Sequence, residues 1–214
     1  MRIGLLGTGA MASALGEAWT RTGHTVVVGG RSAARAEAIA ARLGEAARAA
    51  PPAEVVAATD IVVVAVAWEG IDDLLALAGA RDGSFAGKAV IDCTNAVDYA
   101  SGMLKPPVGS AAEHVASTAV GSRVVKALHL FAGTSWLSGP VDGQPARTVA
   151  ICGDDETALD LASELIRDLG GVPAAIGGLD HARQLEDVAG FVIRLVGVGR
   201  NPVTAVPFVE PVRG

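Results

Sequence analysis

The chain has 214 residues, half of them hydrophobic, and a formal net charge of −6. This length suffices for one α/β domain with a well-buried core but excludes two large domains. The negative charge and the lack of a basic run argue against a nucleic-acid partner, and the longest apolar run, residues 61–68, is too short to cross a bilayer, so we expect no membrane partner.

The cysteines and the first residues bear on the compartment. Cys93 and Cys152 both fall in predicted strands, where buried structural thiols are expected rather than a disulfide. The sequence opens on a strand pattern instead of a charged segment followed by a cleavable apolar one. We therefore expect a cytoplasmic protein.

The first predicted strand, Arg2–Leu6, ends in a glycine turn that opens an alanine-rich helix at Met11. Gly7, Gly9 and Ala12 form the pattern G-x-G-x-x-A. In this pattern the first glycine permits the tight turn, and the second lets the backbone approach a pyrophosphate. The alanine keeps the helix close to the strand. The turn therefore predicts a dinucleotide site at the positive end of the helix dipole.

A second strand is expected at residues 25–28, and its end should lie beside the adenosine ribose of a bound dinucleotide. NAD-specific folds usually place Asp or Glu there, to accept hydrogen bonds from the ribose 2′-hydroxyl. This chain instead has Arg31 and Ser32, with Arg35 one helical turn further on. A guanidinium supplies the charge-assisted donors that a 2′-phosphate needs. The segment therefore predicts a preference for NADP over NAD.

Strands and helices continue to alternate along the chain, as in a parallel sheet with crossover helices. A polar segment that ends in Pro51 and Pro52 separates the second helix from the next strand. Asp154 and Asp155 are expected to cap a helix that ends at Leu169. The further strands are predicted at 60–66, 88–92, 123–127, 148–152 and 172–176, and the other helices at 33–43, 71–80, 109–118 and 181–198.

These elements predict an α/β fold of the Rossmann type, with a doubly wound, mostly parallel sheet and a short C-terminal helical extension. We expect residues 1–180 to form the NADP-binding domain. Residues 181–214 should complete the substrate side and the dimer side. The tail from residue 201 onward, with three prolines, is expected to be extended or irregular. Because this apolar tail cannot complete a core alone, it suggests a homodimer.

The chain also resembles a known family. The segments 7–12, 30–31, 65–69, 91–95 and 125–127 occur in the order and at the separations found in NADPH-dependent coenzyme F420 reductases, also called F420H2:NADP oxidoreductases. The resemblance covers roughly residues 1–195. The same superfamily contains the reductase domain of the STEAP proteins and dehydrogenases of the pyrroline-carboxylate and 6-phosphogluconate types. Those dehydrogenases carry a large extra helical domain, so the compact chain favours the deazaflavin-type reductase.

The resemblance implies a set of cofactor contacts. Thr8, Gly9, Ala10 and Met11 would cradle the pyrophosphate, between Gly7 and Ala12. Arg31, assisted by Ser32, would hold the 2′-phosphate, and Arg35 stands where the family tends to have Lys. On the nicotinamide side the resemblance implies Val66, Ala67 and Ala96 along the ribose channel. From the residues themselves we expect Trp68 to form a wall of the site, and Thr94 or Asn95 to touch the nicotinamide amide or the ribose.

The sequence departs from the family pattern at three positions. Gly30 stands where the family commonly has Ser before the phosphate-binding Arg. Ala67 replaces the usual Pro before Trp68. The run from Lys126 to His129, Lys-Ala-Leu-His, replaces the more familiar Lys-Ala-Phe-Asn and alters the expected deazaflavin pocket.

The expected chemistry is hydride transfer between NADP(H) and a second bound redox partner, with coenzyme F420 the leading candidate. Such a transfer needs aligned rings and no nucleophile, and no residues show metal-ligand spacing. The alternative is an NADPH-dependent reductase of a small imine or ketone, which needs a general acid. His129, Lys126 and Tyr99 could donate that proton, and His129 is the candidate catalytic residue. A non-catalytic NADP(H) sensor is a third possibility.

Overall fold

The structure is a computed structural model that describes residues 1–138 and 145–205. Strands and helices alternate through both ranges. The elements, in chain order, are β1 (Arg2–Leu6), α1 (Ala10–Arg21), β2 (Thr25–Gly29), α2 (Ala33–Leu43), β3 (Ala47–Ala49), α3 (Pro52–Ala58), β4 (Ile61–Val64), α4 (Ile71–Leu77), β5 (Ala89–Asp92), α5 (Ala111–Thr118), β6 (Arg123–Lys126), β7 (Thr148–Gly153), α6 (Glu156–Asp168), β8 (Val172–Ala175) and α7 (Ala182–Gly197).

The strands form one eight-stranded sheet in the order β3-β2-β1-β4-β5-β6-β7-β8. Neighbouring strands are parallel except β6 and β7, which pair antiparallel. The chain order reverses direction between β1 and β4, so a crevice opens outside the carboxyl ends of these two strands. In open α/β sheets this switch point is where ligands bind.

Helices cover both faces of the sheet, which is why the central strands are apolar throughout. All four residues of β4 and of β5 are buried. On one face α1, α2 and α6 close a core that contains Trp19, whose indole Nε1 donates to the Leu165 carbonyl at 3.1 Å. On the other face α3, α4, α5 and α7 close a second core around Phe85. Burial of these apolar faces is the main favourable term for the fold.

The predicted fold class is confirmed, and two small elements were missed. Residues 47–49 pair with β2 as an edge strand, and residues 52–58 form a helix, where the sequence indicated only a polar connection. The helix has Pro52 in its first turn, a position where proline is favourable because no backbone N–H is needed. Ala-Arg-Ala carries no strand signal, so only pairing with β2 defines β3.

Several element ends differ from their predicted positions. The strand expected at 60–66 ends at Val64, because the chain turns out of the sheet toward the crevice. The helices expected at 71–80 and 109–118 are shorter, at Ile71–Leu77 and Ala111–Thr118. Asp155 caps α6 as predicted, accepting from the Ala158 N–H at 2.9 Å.

The C-terminal region bears on three further predictions. The last predicted helix corresponds to α7. In the tail, residues 202–204 form a short 3-10 turn, and residues 206–214 lie outside the described part of the chain. The division into domains at residue 180 stays a prediction.

The cysteines and the helices give two further findings. Cys93 and Cys152 are free and buried, and burial raises the pKa of both thiols, that of Cys152 to about 12. Cys93 follows β5 rather than lying inside a strand. Among the described residues, no helix has the length and hydrophobicity needed to cross a membrane.

Candidate functional site

The turn between β1 and α1 is built around Gly7. Its N–H donates to the Gly29 carbonyl at 2.9 Å, which ties the turn to β2. Its φ is +141°, and a Cβ atom there would lie 2.1 Å from the carbonyl oxygen of Ala65. Only glycine fits this position. The tight turn that the sequence predicts is therefore fixed by a neighbouring strand end as well as by its own dihedral angles.

Gly9, in contrast, has no packing neighbour that excludes a side chain. A Cβ atom built on Gly9 meets no atom of residues 1–138 and 145–205 within 4 Å, so with respect to these residues it would project into open space at the start of α1. Gly9 is the N-cap of this helix and supplies no side-chain cap, which leaves the first amides of the helix unpaired. Free amides at the positive end of a helix dipole form an anion site. Ala12 is fully buried and holds the helix on the sheet.

Arg31 lies across the crevice from this turn. Its side chain is 53% exposed, and its Nη1 lies 3.3 Å from Asp73 Oδ2 of α4. The guanidinium also covers Gly70, where a Cβ atom would come within 2.8 Å of Nη2. The guanidinium is therefore held at the crevice by one weak, exposed ion pair and remains accessible to an anion. Asp73 was not foreseen, since only folding brings α4 next to this loop.

Ser32 and Arg35 belong to the first turn of α2. The Ser32 hydroxyl caps this helix by accepting from the Arg35 N–H at 3.4 Å, and its own O–H stays available as a donor. The departure at Gly30 has a packing reason. A Cβ atom there would lie 2.8 Å from Cγ2 of Thr8, so the methyl group of Thr8 occupies the space that a serine would need.

These segments form one cavity of about 250 Å³. The structure therefore brings together ten residues from three chain segments. They are Gly7, Thr8 and Gly9 of the first turn, Gly30, Arg31, Ser32 and Arg35 around the start of α2, and Ala65, Val66 and Ala67 after β4. Leu74 of α4 completes the wall and was not foreseen. A larger cavity of about 640 Å³ shares Gly30 and Arg31 and extends toward Pro51 and Pro52.

Three further predicted residues lie outside that cavity: Trp68, which follows β4, and Asn95 and Ala96, which follow β5. Trp68 begins a 3-10 turn and packs edge-on against His114, with ring centroids 5.1 Å apart. Ala96 is fully buried. Asn95 Nδ2 donates to the His129 carbonyl at 2.7 Å, and its Oδ1 is buried and has no hydrogen-bond partner in the part of the chain that the structure describes. An acceptor in this position can take a hydrogen bond from a donor group that binds at these strand ends.

His129 is buried beside α7. Its Nε2 lies 3.1 Å from the Leu185 carbonyl, so Nε2 carries the proton and donates it, and Nδ1 has no partner. Burial lowers the pKa of His129 to about 3, and the positive charge of Lys126 contributes to the shift. The imidazole is therefore neutral near pH 7. This environment argues against His129 as a general acid and favours a role in shaping the wall.

A cluster of three fully buried charged side chains, which we call the ionic cluster, lies at the ends of β5 and β6. Lys126 Nζ is 2.9 Å from Asp92 Oδ2 and 2.8 Å from Glu186 Oε1 of α7. Burial lowers the pKa of Lys126, but the two carboxylates outweigh it and the net shift is upward. Burial also raises the pKa of Glu186 above its usual value, despite Lys126. Lys126 is thus a structural cation rather than an exposed proton donor.

Sequence reasoning missed Glu186, although a signal was present. The buried positions of α7 are Ala182, Leu185, Glu186, Ala189 and Gly190, the spacing of an apolar helix face. A carboxylate on that face requires a buried partner. Among the described residues, no group of three or more His, Cys, Asp or Glu side chains is arranged to hold a metal ion. Tyr99, the remaining candidate donor, is 70% exposed.

Comparison with known proteins identifies the class and then the family. A family model described as "NADP oxidoreductase coenzyme F420-dependent" matches residues 2–96. The F420-dependent NADP reductase of Methanothermobacter marburgensis is 30% identical over 213 residues, covering 91% of this chain and 92% of the relative. The protein is therefore an NADP-dependent oxidoreductase. It belongs to the family of F420-dependent NADP reductases, which confirms the resemblance seen in the sequence.

Other matches differ in how much of the relative they cover. Metalloreductase STEAP3 of Rattus norvegicus is 32% identical over 187 residues, but the chain spans only 36% of its length. The crystal structure of a putative F420-dependent NADP-reductase from Arthrobacter sp. FB24 has a TM-score of 0.77 and 28% identity, covering 92% of this chain and 95% of that one. An imine reductase from Myxococcus stipitatus, with a TM-score of 0.64 and 20% identity, shares the fold.

Proposed function

We propose that this protein binds NADP(H) at the switch-point crevice and exchanges a hydride with the deazaflavin coenzyme F420. The observation that carries the proposal is the cavity that joins the glycine turn to Arg31 without a carboxylate at the end of β2. The names of the relatives and of the Arthrobacter structure support the same pair of ligands.

The pyrophosphate would lie on the open side of Gly9. The residues that would hold it are Thr8, Gly9, Ala10 and Met11, through backbone amides and the helix dipole, while Gly7 fixes the turn and Ala12 packs the helix on the sheet. The absence of any atom within 4 Å of a Gly9 Cβ supports this placement, because no packing demand explains the glycine. The backbone of this turn is the part of the protein that a phosphate can approach.

The 2′-phosphate would be held by Arg31, Ser32 and Arg35. Arg31 is exposed, and within the described ranges Asp73 is its one ionic partner, so a phosphate can take that partner's place. Ser32 keeps a free hydroxyl donor, and Arg35 adds a positive charge one turn further along α2. A planar guanidinium pairs with phosphate through parallel hydrogen bonds. These features support selection of NADP over NAD.

The nicotinamide half would extend along Val66, Ala67, Trp68 and Asn95, whereas Ala96, which the sequence placed in this channel, is fully buried and lies behind it. Asn95 supplies the clearest contact, because its Oδ1 is a buried acceptor without a donor. A carboxamide NH2 group is the donor that this atom lacks. When both are bound, NADPH supplies a hydride from C4 of its ring, and the C5 position of the deazaflavin accepts it as a new C–H bond. The protein's part is to align the rings and exclude water.

The state of the candidate proton donors supports F420 over an imine or ketone substrate. Reduction of a carbonyl or imine requires a proton from a positioned acid. Lys126 is fully buried in the ionic cluster. The neutral His129 uses its Nε2–H in a hydrogen bond to the Leu185 carbonyl. Tyr99 is largely exposed. Hydride transfer to a deazaflavin needs none of these groups as an acid.

The test is to mix the purified protein with NADPH and oxidised F420 and follow the decay of the deazaflavin absorbance. The proposal predicts decay that depends on the protein and that is slower with NADH. Bound NADPH with no decay at micromolar protein would overturn F420 as the acceptor. A panel of imines and ketones in the same assay would then test the alternative substrates.

The expected homodimer stays a prediction. Apolar side chains exposed on α7, namely Val188, Phe191 and Val196, support it because they could pack on a second copy. Sedimentation equilibrium on the whole chain would test the state of association directly. A monomer at micromolar concentration would contradict the expectation.

A further inference from the structure

The ionic cluster joins the last helix to the ends of two strands beside the proposed nicotinamide site. Asp92 ends β5, Lys126 ends β6, and Glu186 lies on the buried face of α7. All three side chains have no exposed surface. The cluster therefore connects the carboxyl ends of two neighbouring strands to a helix that covers one face of the sheet, at a point that water does not reach.

Three acceptors surround the ammonium group of the lysine, which has three N–H donors. Lys126 Nζ donates to Asp92 Oδ2 and to the Thr94 carbonyl, and it forms an ion pair with Glu186 Oε1 at 2.8 Å. Glu186 in turn accepts from the Ala111 N–H at 3.0 Å through each of its oxygens, which ties α7 to the first turn of α5. Such a saturated arrangement allows one relative placement of β5, β6, α5 and α7.

The contacts form a closed path that passes through Asn95. Lys126 donates to the Thr94 carbonyl, and the next residue, Asn95, donates to the His129 carbonyl. His129 donates to the Leu185 carbonyl, and Leu185 is the neighbour of Glu186 in α7. The orientation of the Asn95 amide is therefore connected to Glu186 from two directions, through Lys126 and through His129.

A buried ionic cluster is not the most stabilising way to fill this space. Hydrophobic side chains of similar volume often stabilise a fold as well or better, because burying charges carries a desolvation cost. What an ionic cluster adds is direction, since each hydrogen bond fixes an angle as well as a distance. The direction imposed here ends at Asn95 Oδ1, the buried acceptor that lacks a donor.

We propose that Glu186 is a positioning residue that, through Lys126 and α7, orients the Asn95 amide to bind the nicotinamide half of the cofactor. This inference rests on the proposed binding of NADP(H) and is independent of the hydride acceptor. Glu186 itself touches no ligand. The residues around Gly9 and Arg31, which would hold the phosphates, do not take part because they follow β1 and β2 rather than β5 and β6.

The experiment compares the affinity of two ligands, NADPH and 2′-phospho-ADP-ribose, which lacks the nicotinamide. Glu186→Gln keeps the shape and removes the charge. We expect it to weaken NADPH binding about 10-fold, the effect of about one hydrogen bond, and to leave the fragment unchanged. Asp187→Asn, an exposed neighbour on the same helix, is the matched control and should change neither affinity.

A second variant shows whether Glu186 acts through Asn95. Asn95→Ala should lower the ratio of the affinity for NADPH to the affinity for 2′-phospho-ADP-ribose by a similar factor. The double variant should lower this ratio no further, because both changes remove the same contact. If Glu186→Gln does not fold, Asn95→Ala must still lower the ratio. An unchanged ratio in either single variant, or additive effects in the double variant, would overturn the inference. Failure of the unaltered protein to bind NADPH would instead overturn the proposed function.

Discussion

The two sides of the crevice are built by different means. The side formed by β1, β2 and β4 presents backbone amides, small residues and an exposed arginine, and its ion pair at Asp73 is weak. The side formed by β5, β6 and α7 is organised by three buried charges. The first side can bind an anion with little rearrangement, since its groups are already free. The second side fixes geometry and, among the described residues, leaves two buried acceptors without a donor, Asn95 Oδ1 and His129 Nδ1.

The contrast predicts that removing the buried cation has the largest effect on stability. Lys126→Met leaves Asp92 and Glu186 buried without their partner, which should lower the free energy of unfolding by about 3–5 kcal/mol. Urea denaturation followed by circular dichroism measures the change. Lys105→Met removes an exposed ion pair with Glu69 and should have little effect. Equal effects of the two variants would show that the ionic cluster is not a special feature.

A side chain added at Gly9, in the glycine turn, should have the largest effect on NADPH binding. Gly9→Val places its side chain in the space proposed for the pyrophosphate, so NADPH affinity should fall about 100-fold, equivalent to ~2.7 kcal/mol. Because nothing lies within 4 Å of the added Cβ, the thermal midpoint should change little. Gly197→Val, at a second glycine with open space around it, is the control. Unchanged binding by Gly9→Val would place the dinucleotide elsewhere.

The side of the crevice formed by β5, β6 and α7 should give the protein a pH-dependent stability that comes from His129. The pKa of His129 is lowered from 6.5 in the unfolded chain to about 3 in the folded protein, so the fold accepts only the neutral imidazole. The folded protein therefore has its full stability above pH 6.5. That stabilisation is lost as the pH falls from 6.5 toward 3, by about 2 kcal/mol between pH 7 and pH 5. Urea denaturation at both pH values should show this loss in the unaltered protein.

His129→Asn, which introduces the residue more familiar in the family, lacks the titrating group. Its unfolding free energy should fall by about 2 kcal/mol less over the same interval. Parallel curves for His129→Asn and the unaltered protein would contradict a buried, neutral imidazole.

The smallest of these effects concerns cofactor choice. Arg31→Ala should weaken NADPH binding about 10-fold and leave NADH binding nearly unchanged, because the lost hydrogen bonds go only to the 2′-phosphate. Fluorescence titration of the two reduced cofactors gives the ratio. Arg81→Ala, at an exposed arginine outside the cavity, is the control. An equal loss for both cofactors would remove the basis for NADP preference.

The same contrast explains what could be predicted from the sequence. Gly7, Gly9 and Arg31 act through local spacing along the chain, so the turn and the loop after β2 were predictable. The buried strands were predictable for a similar reason, since each is a continuous apolar run. Fold class and family membership follow from these features, and both are confirmed by the structure and the comparisons.

The ionic cluster was not predictable in the same way. Its members come from three elements and are 34 and 60 positions apart along the chain, counted as 126 minus 92 and 186 minus 126. No local pattern pairs them, and only the position of Glu186 on an apolar helix face indicates a buried partner. The same holds for β3, whose three residues become a strand only because β2 offers an open edge.

The most direct test of the proposed function follows the hydride itself. NADPH deuterated at C4 on one face or the other is incubated with the protein and oxidised F420, and the reduced deazaflavin is analysed by mass spectrometry. Direct transfer predicts one deuterium in the product from one of the two labelled forms and none from the other. Reduced deazaflavin without deuterium from either form, or no reduction while NADPH is bound, would contradict hydride exchange between the two cofactors.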